Sequence, residues 1–267
     1  MKLLSLNVAL FESNNSKLSK FLSEKKVDIA CFQEVTRSLD KGVLKKYISK
    51  DAIDKALDEL KFDFFGPNDV FGPIELTEFH GKKNFHFDPG GMMELGNYTK
   101  CKYPITKGQN IFPEGHFTYE TDHSNWDDEQ NKALLVTDLD TGKHNLRVIN
   151  YHGIWTKDKQ GNEKSLSACK KIYQLAMATK GEIIICGDFN LFPDTPSMKV
   201  FQSDFISLVD RYNIRATRPS SNELSGLERN VVDYVLLSRN IEVQSFKVLE
   251  TDVSDHLPLF LDFEFSK

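Results

Sequence analysis

Short apolar runs recur along this chain, and most of them close on a polar residue. Residues 2–8 alternate as a strand, and residues 14–26 space Leu18, Phe21 and Leu22 along one helical face. Residues 27–34 (VDIACFQE) read as a buried strand whose last residue is a carboxylate. Helical spacing returns at Val43, Tyr47, Ile53 and Leu57 within residues 40–60. From 64 to 89 the periodicity fails. There Gly66-Pro67, Gly72-Pro73 and Gly81 punctuate the aromatics, which predicts a long surface loop suited to substrate selection.

Beyond Gly90-Gly91 the pattern predicts strands at 92–99, 105–112, 115–121, 132–139 and 146–152, a helix over 163–179 and a strand over 182–186. A short helix is expected within 193–202, then strands over 229–238, 241–250 and 257–265. There is no low-complexity tract or linker, so one domain over residues 1–267 is expected, with a specificity loop or insertion within 62–91. Mixed strands with helices at intervals suggest sheets packed together with helices outside.

Composition refines this picture only slightly. Forty per cent hydrophobic and 27% charged residues are ordinary for a globular chain. No stretch of ~18 apolar residues could span a bilayer, and residues 1–7 turn polar too soon for a secretory signal. Cys31, Cys101, Cys169 and Cys186 are scattered without a CxxC pair, so buried thiols in a reduced, cytoplasmic compartment are expected. A formal charge of -5 argues against gripping long nucleic acid over the whole surface. A carboxylate cluster that holds cations would account for part of that charge.

The candidate chemistry sits at the strand ends: Asn7, Glu34, His152, Asp188 with Asn190, Asp233, and Asp255 with His256. Each has an ordinary reading alone. Asn7 suits a turn, Glu34 a solvated strand terminus, His152 a packed ring before Gly153, and Asp188 a cap. Asp233, wedged among Val231, Val232, Val235 and Leu236, needs a partner or favours its neutral form. Taken together, they match what hydrolysis of a phosphodiester needs. Glu34 and Asp255 suit a hard cation such as Mg²⁺. Asp188 suits the attacking water. Asn7 and Asn190 can bond anionic oxygens or the water without adding charge. His256 held by Asp233 can face developing charge, and His152 is a further acid or phosphate donor. Strand parity places Asn150 and His152 on one face and Tyr151 on the other.

These motifs, in this order, resemble the endonuclease/exonuclease/phosphatase superfamily over nearly the whole chain. The residues that carry the likeness are Leu6-Asn7-Val8, Gln33-Glu34, Gly96-Asn97 with Lys102-Tyr103-Pro104-Ile105, and Asn150-Tyr151-His152. Gly187-Asp188-Phe189-Asn190, Val232-Asp233-Tyr234-Val235 and Ser254-Asp255-His256 complete them. The resemblance implies an α+β fold, a four-layer α/β/β/α sandwich of two mixed sheets flanked by helices and similar to deoxyribonuclease I, with the site at one edge between the sheets. It implies Glu34 as metal ligand, Asn7 and Asp255 on the metal side, Asp188 at the water and Asn190 at the phosphate. Asp233 and His256 resemble the family's pair, and His152 its contact to phosphate or leaving group.

The expectation is therefore an active, monomeric Mg²⁺-dependent phosphodiesterase, with Mn²⁺ as substitute, acting on nucleic acid or a nucleotide-like ester. The alternatives are a lipid or small-molecule phosphoesterase, of phosphoinositide or sphingomyelin type, and a non-catalytic scaffold. Trp155 is either a rim residue that stacks on substrate or a loop anchor. Lys100, Lys102 and Lys107, and Arg211, Arg215 and Arg218, read as solvated faces more than binding strips. Glu114, Glu120, Asp122, Asp127 and Asp128 would repel a polyanion if they flanked the cleft.

Overall fold

Strand alternation divides the side chains of two sheets between a shared inner core and two outer helical layers. The computed structural model describes residues 1–10, 14–79, 82–119, 131–220 and 229–266. The first sheet contains β1 (Lys2–Asn7), β2 (Ile29–Ser38), β3 (Phe62–Phe71), β6 (Met93–Cys101), β8 (Thr118–Tyr119), β14 (Ile241–Val248) and β15 (Leu259–Phe265). Their order is β14-β15-β1-β2-β6-β3-β8. The second contains β7 (Ile105–Glu114), β9 (Lys132–Asp140), β10 (Asn145–His152), β11 (Glu182–Asp188), β12 (Ile206–Ser207) and β13 (Asp233–Leu237), in the order β12-β13-β11-β10-β9-β7. A separate hairpin pairs β4 (Ile74–Phe79) with β5 (Lys82–Phe87).

Leu4 and Leu6 of β1, with Ala30 and Phe32 of β2, pack with Leu18 and Leu22 of α1 (Asn15–Ser23) and Ile53 of α2 (Ser49–Ala56). Their neighbours Leu3, Ile29 and Cys31 point the other way, into a core shared with Leu134, Val136, Val148 and Cys186 of the second sheet. This core also takes in Ala168, Ile172 and Ala176 of α3 (Glu163–Met177), a helix started by an Asn162–Ser165 capping box. The short helices α4 (Pro196–Lys199) and α5 (Leu208–Arg211) complete the chain's helices among the described residues. The layers run helix, sheet, sheet, helix, which is the expected α/β/β/α sandwich.

Buried amides join the two sheets where β1, β2, β10 and β11 approach their ends. Gln33 Nε2 donates to Asn150 Oδ1 at 2.7 Å, and Asn150 Nδ2 donates to the carbonyls of Phe32 and Tyr98 at 3.0 and 3.1 Å. Asn97 Nδ2 reaches Ala133 O at 2.8 Å. Each amide meets strand backbone or another amide, so polar groups between the sheets fix how one sheet sits on the other.

Three expectations are corrected. The stretch read as a loop at 64–89 is β3 followed by the β4–β5 hairpin. Pro67 is accommodated because β3 changes register against β6 between Pro67 and Asp69. The helical spacing of 40–60 yields only a 3₁₀ turn (Lys45–Tyr47) and α2. The strand expected at 115–121 shrinks to β8 among the described residues. Glu120, Asp122, Asp127 and Asp128 lie outside the described residues.

Candidate active site

Two parallel strand pairs bring their ends to one rim. In β1 and β2, Asn7 is level with Gln33; in β10 and β11, His152 is level with Asp188. The antiparallel β13 begins at that rim, with Asp233 opposite Asp188. The turn before β15 delivers Asp255 and His256. Ser254 Oγ donates to Asn7 O at 2.7 Å and accepts from His256 N at 3.1 Å, which fastens the turn to the end of β1.

Local backbone distortions aim the side chains. β2 shifts register between Phe32 and Val35, and within that bulge Glu34 takes φ +56°. Asn190 has φ +55° and Ala9 +57°. Left-handed backbone is costly for residues with a Cβ and concentrates where surroundings over-determine it. Gly187, at φ +132°, and Gly153 permit close approach: an added Cβ would lie 2.0 Å from Tyr151 O and 2.2 Å from Phe189 O respectively.

Asp188 is the hub. Its Oδ2 accepts from Asn7 Nδ2 at 3.1 Å and Asn190 Nδ2 at 3.3 Å, and its Oδ1 from Asn190 N at 2.8 Å. His256 Nε2 lies 3.5 Å from it and His152 Nε2 3.8 Å. Glu34 Oε1 takes Asn7 Nδ2 at 3.0 Å and lies 3.6 Å from His152 Nε2, while its Oε2 takes Leu10 N at 2.8 Å. His256 Nδ1 faces both oxygens of Asp233, at 2.9 and 3.0 Å, and its Nε2 lies 3.9 Å from Asp255 Oδ1. The eight residues named from the strand ends thus meet in one place.

The cations in this place were not foreseen. Lys159 is buried, donating from Nζ to Asn190 Oδ1 at 2.7 Å, with its ammonium 4.7 Å from the Trp155 ring centroid. Arg218, read from sequence as part of a solvated face, instead sets Nη1 3.3 Å from Asp255 Oδ2 and Nη2 2.5 Å from His256 Nε2. Lys100 and Lys102 do not form a binding strip, since they pair with Asp54 at 3.2 Å and Asp28 at 2.5 Å. Trp155 is half-buried beside Lys159.

Electrostatics sort these groups by role. Burial would neutralise Asp188, but the imidazole of His256 first, then His152, Arg218 and Lys159, hold its pKa below the ordinary carboxylate value. Glu34 is likewise opposed by burial yet held low by His152, then by the Leu10 N–H, the Asn7 amide and Lys132. Burial and Lys132 push His152 down to about 4, leaving its ring neutral. Burial and Arg218 disfavour the His256 imidazolium, but Asp233, Asp188 and Asp255 outweigh them and raise it to about 9. Burial raises Asp233 in spite of that imidazole. Arg218 Nη2 can donate only to a bare Nε2, so protonation of His256 requires the guanidinium to turn away. Burial lowers Lys159 to about 7.

The donor set fits a hard cation. Glu34 and Asp255 are the partly exposed carboxylates, at 25% and 35%, and oxygen ligands with access to water suit Mg²⁺. Asn7, expected on the metal side, has a second role in this geometry. Its Oδ1 is taken by Ala9 N at 3.0 Å and its nitrogen faces the carboxylates, so it aligns Glu34 and Asp188 as a donor. Asp188, Asp233 and His256 also offer ligand atoms within 4.8 Å of one another and could hold a metal ion. In that group the Asp233–His256 contact is already satisfied as a hydrogen bond.

The model of the Endonuclease/Exonuclease/phosphatase family matches residues 4–256. No curated protein sequence matches the chain. Among solved structures, the human nocturnin catalytic domain with bound sulfate aligns at TM-score 0.67 and 17% identity, over 100% of this chain and 93% of that one. Zebrafish (D. rerio) TDP2 complexed with a single-strand DNA product aligns at 0.67 and 12%, over 99% and 98%. A mannosyl-6-phosphatase from Bacteroides thetaiotaomicron aligns at 0.63 and 13%, over 99% and 100%. At these identities the likeness is one of fold.

Proposed function

The chain belongs to the endonuclease/exonuclease/phosphatase family, and from that premise we propose that it is a divalent-cation-dependent phosphoester hydrolase that uses water as nucleophile. The observation that carries this reading is the convergence of Glu34, Asp188, Asn190, His152 and the Asp233–His256 pair on one buried rim. Glu34 and Asp255 would hold the cation, Mg²⁺ with Mn²⁺ as substitute; bound there, it supplies positive charge to the phosphoryl and leaving oxygens.

Asp188, held ionised, accepts a hydrogen bond from the water and points it at phosphorus. Its lowered pKa makes it a weak proton acceptor, so the proton moves late, as the new P–O bond forms. The water oxygen bonds to phosphorus while the opposite P–O bond breaks, its electron pair staying on the leaving oxygen, which then takes a proton from solvent. Asn190 Nδ2 and the His152 and His256 rings face the developing charge, with Asp233 fixing the His256 tautomer.

Within this class the sequence points to a phosphodiester of nucleic acid or a nucleotide-like ester. The TDP2 neighbour, complexed with single-strand DNA, is consistent with that. The paired lysines Lys100 and Lys102 offer no strip for a long polyanion, which favours a small ester. A phosphomonoester is favoured by a separate observation, the two buried cations Lys159 and Arg218. The test is turnover of bis-p-nitrophenyl phosphate and p-nitrophenyl phosphate with Mg²⁺ or Mn²⁺. Chelator-sensitive release above an Asp188→Ala control is expected, and its absence for both esters would leave a scaffold.

A further inference from the structure

Two cations in the site have no task in orienting water or holding a metal. Lys159 Nζ bonds only the Asn190 amide oxygen and overlies Trp155, and among the described residues it forms no ion pair. Burying an ammonium without a direct ion pair is costly. Arg218 is 13% exposed, and among the described residues its buried Nε has no hydrogen-bond partner. Both lie within the field of Asp188, and they come from unrelated segments, the loop after β10 and the stretch after α5. Unspent donors on two cations, each one residue removed from Asp188, Lys159 through Asn190 and Arg218 through His256, call for an anionic ligand.

The shape of the site limits which anion. Asn7, Asp188, Asn190, His152, His256 and Lys159 are each no more than 4% exposed, whereas Glu34 and Asp255 meet solvent. The donors of Asn190, His152, His256 and Lys159 lie on the buried side, and the solvent-exposed carboxylates of Glu34 and Asp255 mark where the site meets water. A phosphodiester must route two organic groups out of such a site; a phosphomonoester routes one and presents three bare oxygens to the donors.

We propose that Lys159 and Arg218 form a clamp for the free oxygens of a terminal phosphate, so that the preferred substrate is a phosphomonoester whose single organic group leaves past Glu34 and Asp255. This rests on the hydrolase reading above. Arg218 turns from His256 and Asp255 to the phosphate, and Lys159 keeps Asn190 oriented while donating its remaining hydrogens to the same phosphate.

The experiment has two arms. In the first, titration calorimetry with inorganic phosphate, without turnover, compares wild type with Lys159→Gln, Arg218→Gln and Arg218→Lys. Loss of a charge-assisted contact should weaken phosphate by about tenfold or more in the Gln variants, with partial rescue in Arg218→Lys; unchanged affinity would overturn the clamp. In the second, wild type should favour p-nitrophenyl phosphate over its bis ester by about tenfold in kcat/KM, and the Gln variants should bring that ratio towards one. A wild-type ratio at or below one would overturn the monoester assignment. Turnover of neither ester would sink the hydrolase reading, while the phosphate titration would still judge the clamp.

Discussion

Asp233 offers both carboxylate oxygens to one ring nitrogen of His256, at 2.9 and 3.0 Å, in a setting where each side chain is almost wholly buried. That contact requires Nδ1 to carry a hydrogen and leaves Nε2 to face Asp188 and Arg218. Asp233→Asn should therefore disturb the tautomer, and His256→Ala should remove the group. Each is expected to lower kcat by ~10² or more with the fold retained, although His256→Ala also lowers the melting temperature by leaving the buried Asp233 carboxylate without its partner. The double variant should be no slower than the worse single one, as for residues acting as a unit. Additive losses in a kinetic cycle would separate their roles.

Glu34→Gln should act on the cation. It keeps volume but removes the charge that, with Asp255, suits a hard ion, and its amide can accept from only one of the two donors, Asn7 Nδ2 and Leu10 N, that Glu34 serves. The Mg²⁺ concentration for half-maximal rate is expected to rise by about tenfold, with the rate at saturating ion reduced less. An Asn7→Ala variant should disturb the alignment of Glu34 and Asp188 instead, lowering rate at every ion concentration.

Lys159 should leave a mark on stability against pH. Its pKa falls from 10.5 in the unfolded chain to about 7 in the fold. Between those values the unfolded chain binds more protons than the native one, so this group's contribution to stability rises with pH across that window. Below pH 7 the burial penalty is fully present. Lys159→Met removes the titration, so the variant's stability relative to wild type should fall as pH rises from 7 to 10.5. Urea midpoints across that range check the slope, and a flat difference would place the ammonium in solvent.

Gly153→Ala places a Cβ 2.2 Å from Phe189 O. The loop bearing Trp155 and Lys159 must then move off the Asp188–Asn190 turn. A displacement near 1 Å at a positioning loop is expected to cost about 10² in kcat/KM while the sheets stay intact. Circular dichroism should remain unchanged while activity falls.

Gln33→Met keeps size but leaves Asn150 Oδ1 without its donor between the sheets. Unsatisfied buried polar groups cost about 1–3 kcal/mol. Chemical denaturation should show a loss of that order, and activity should fall although residue 33 touches no reacting atom.

Packed sheets with outer helices, and the rim residues, were legible because apolar runs that end on an acid, amide or imidazole carry a readable signal, while the four-layer order came from the family resemblance. Val231-Val232-Asp233 and Cys186-Gly187-Asp188 are of this kind. Lys159 was not legible. It lies in Thr156-Lys157-Asp158-Lys159-Gln160, a run that reads as solvated, and only its fold at φ +56° turns it inward. Arg218 follows Thr217, and nothing local marks either as buried. β3 was hidden by Gly66-Pro67, a pair that punctuates loops far more often than strands, since its register shift depends on β6. The left-handed Glu34 was invisible for the same reason, because a bulge is a property of two strands.

Asn7 and Glu34 belong to one sheet, His152 and Asp188 to the other, and the Asn7–Asp188 hydrogen bond and the Gln33–Asn150 amide bridge tie the two together. Hydrolysis would then serve as a gauge of sheet docking. A small slip of one layer over the other would silence the enzyme while every strand still kept its own hydrogen bonds.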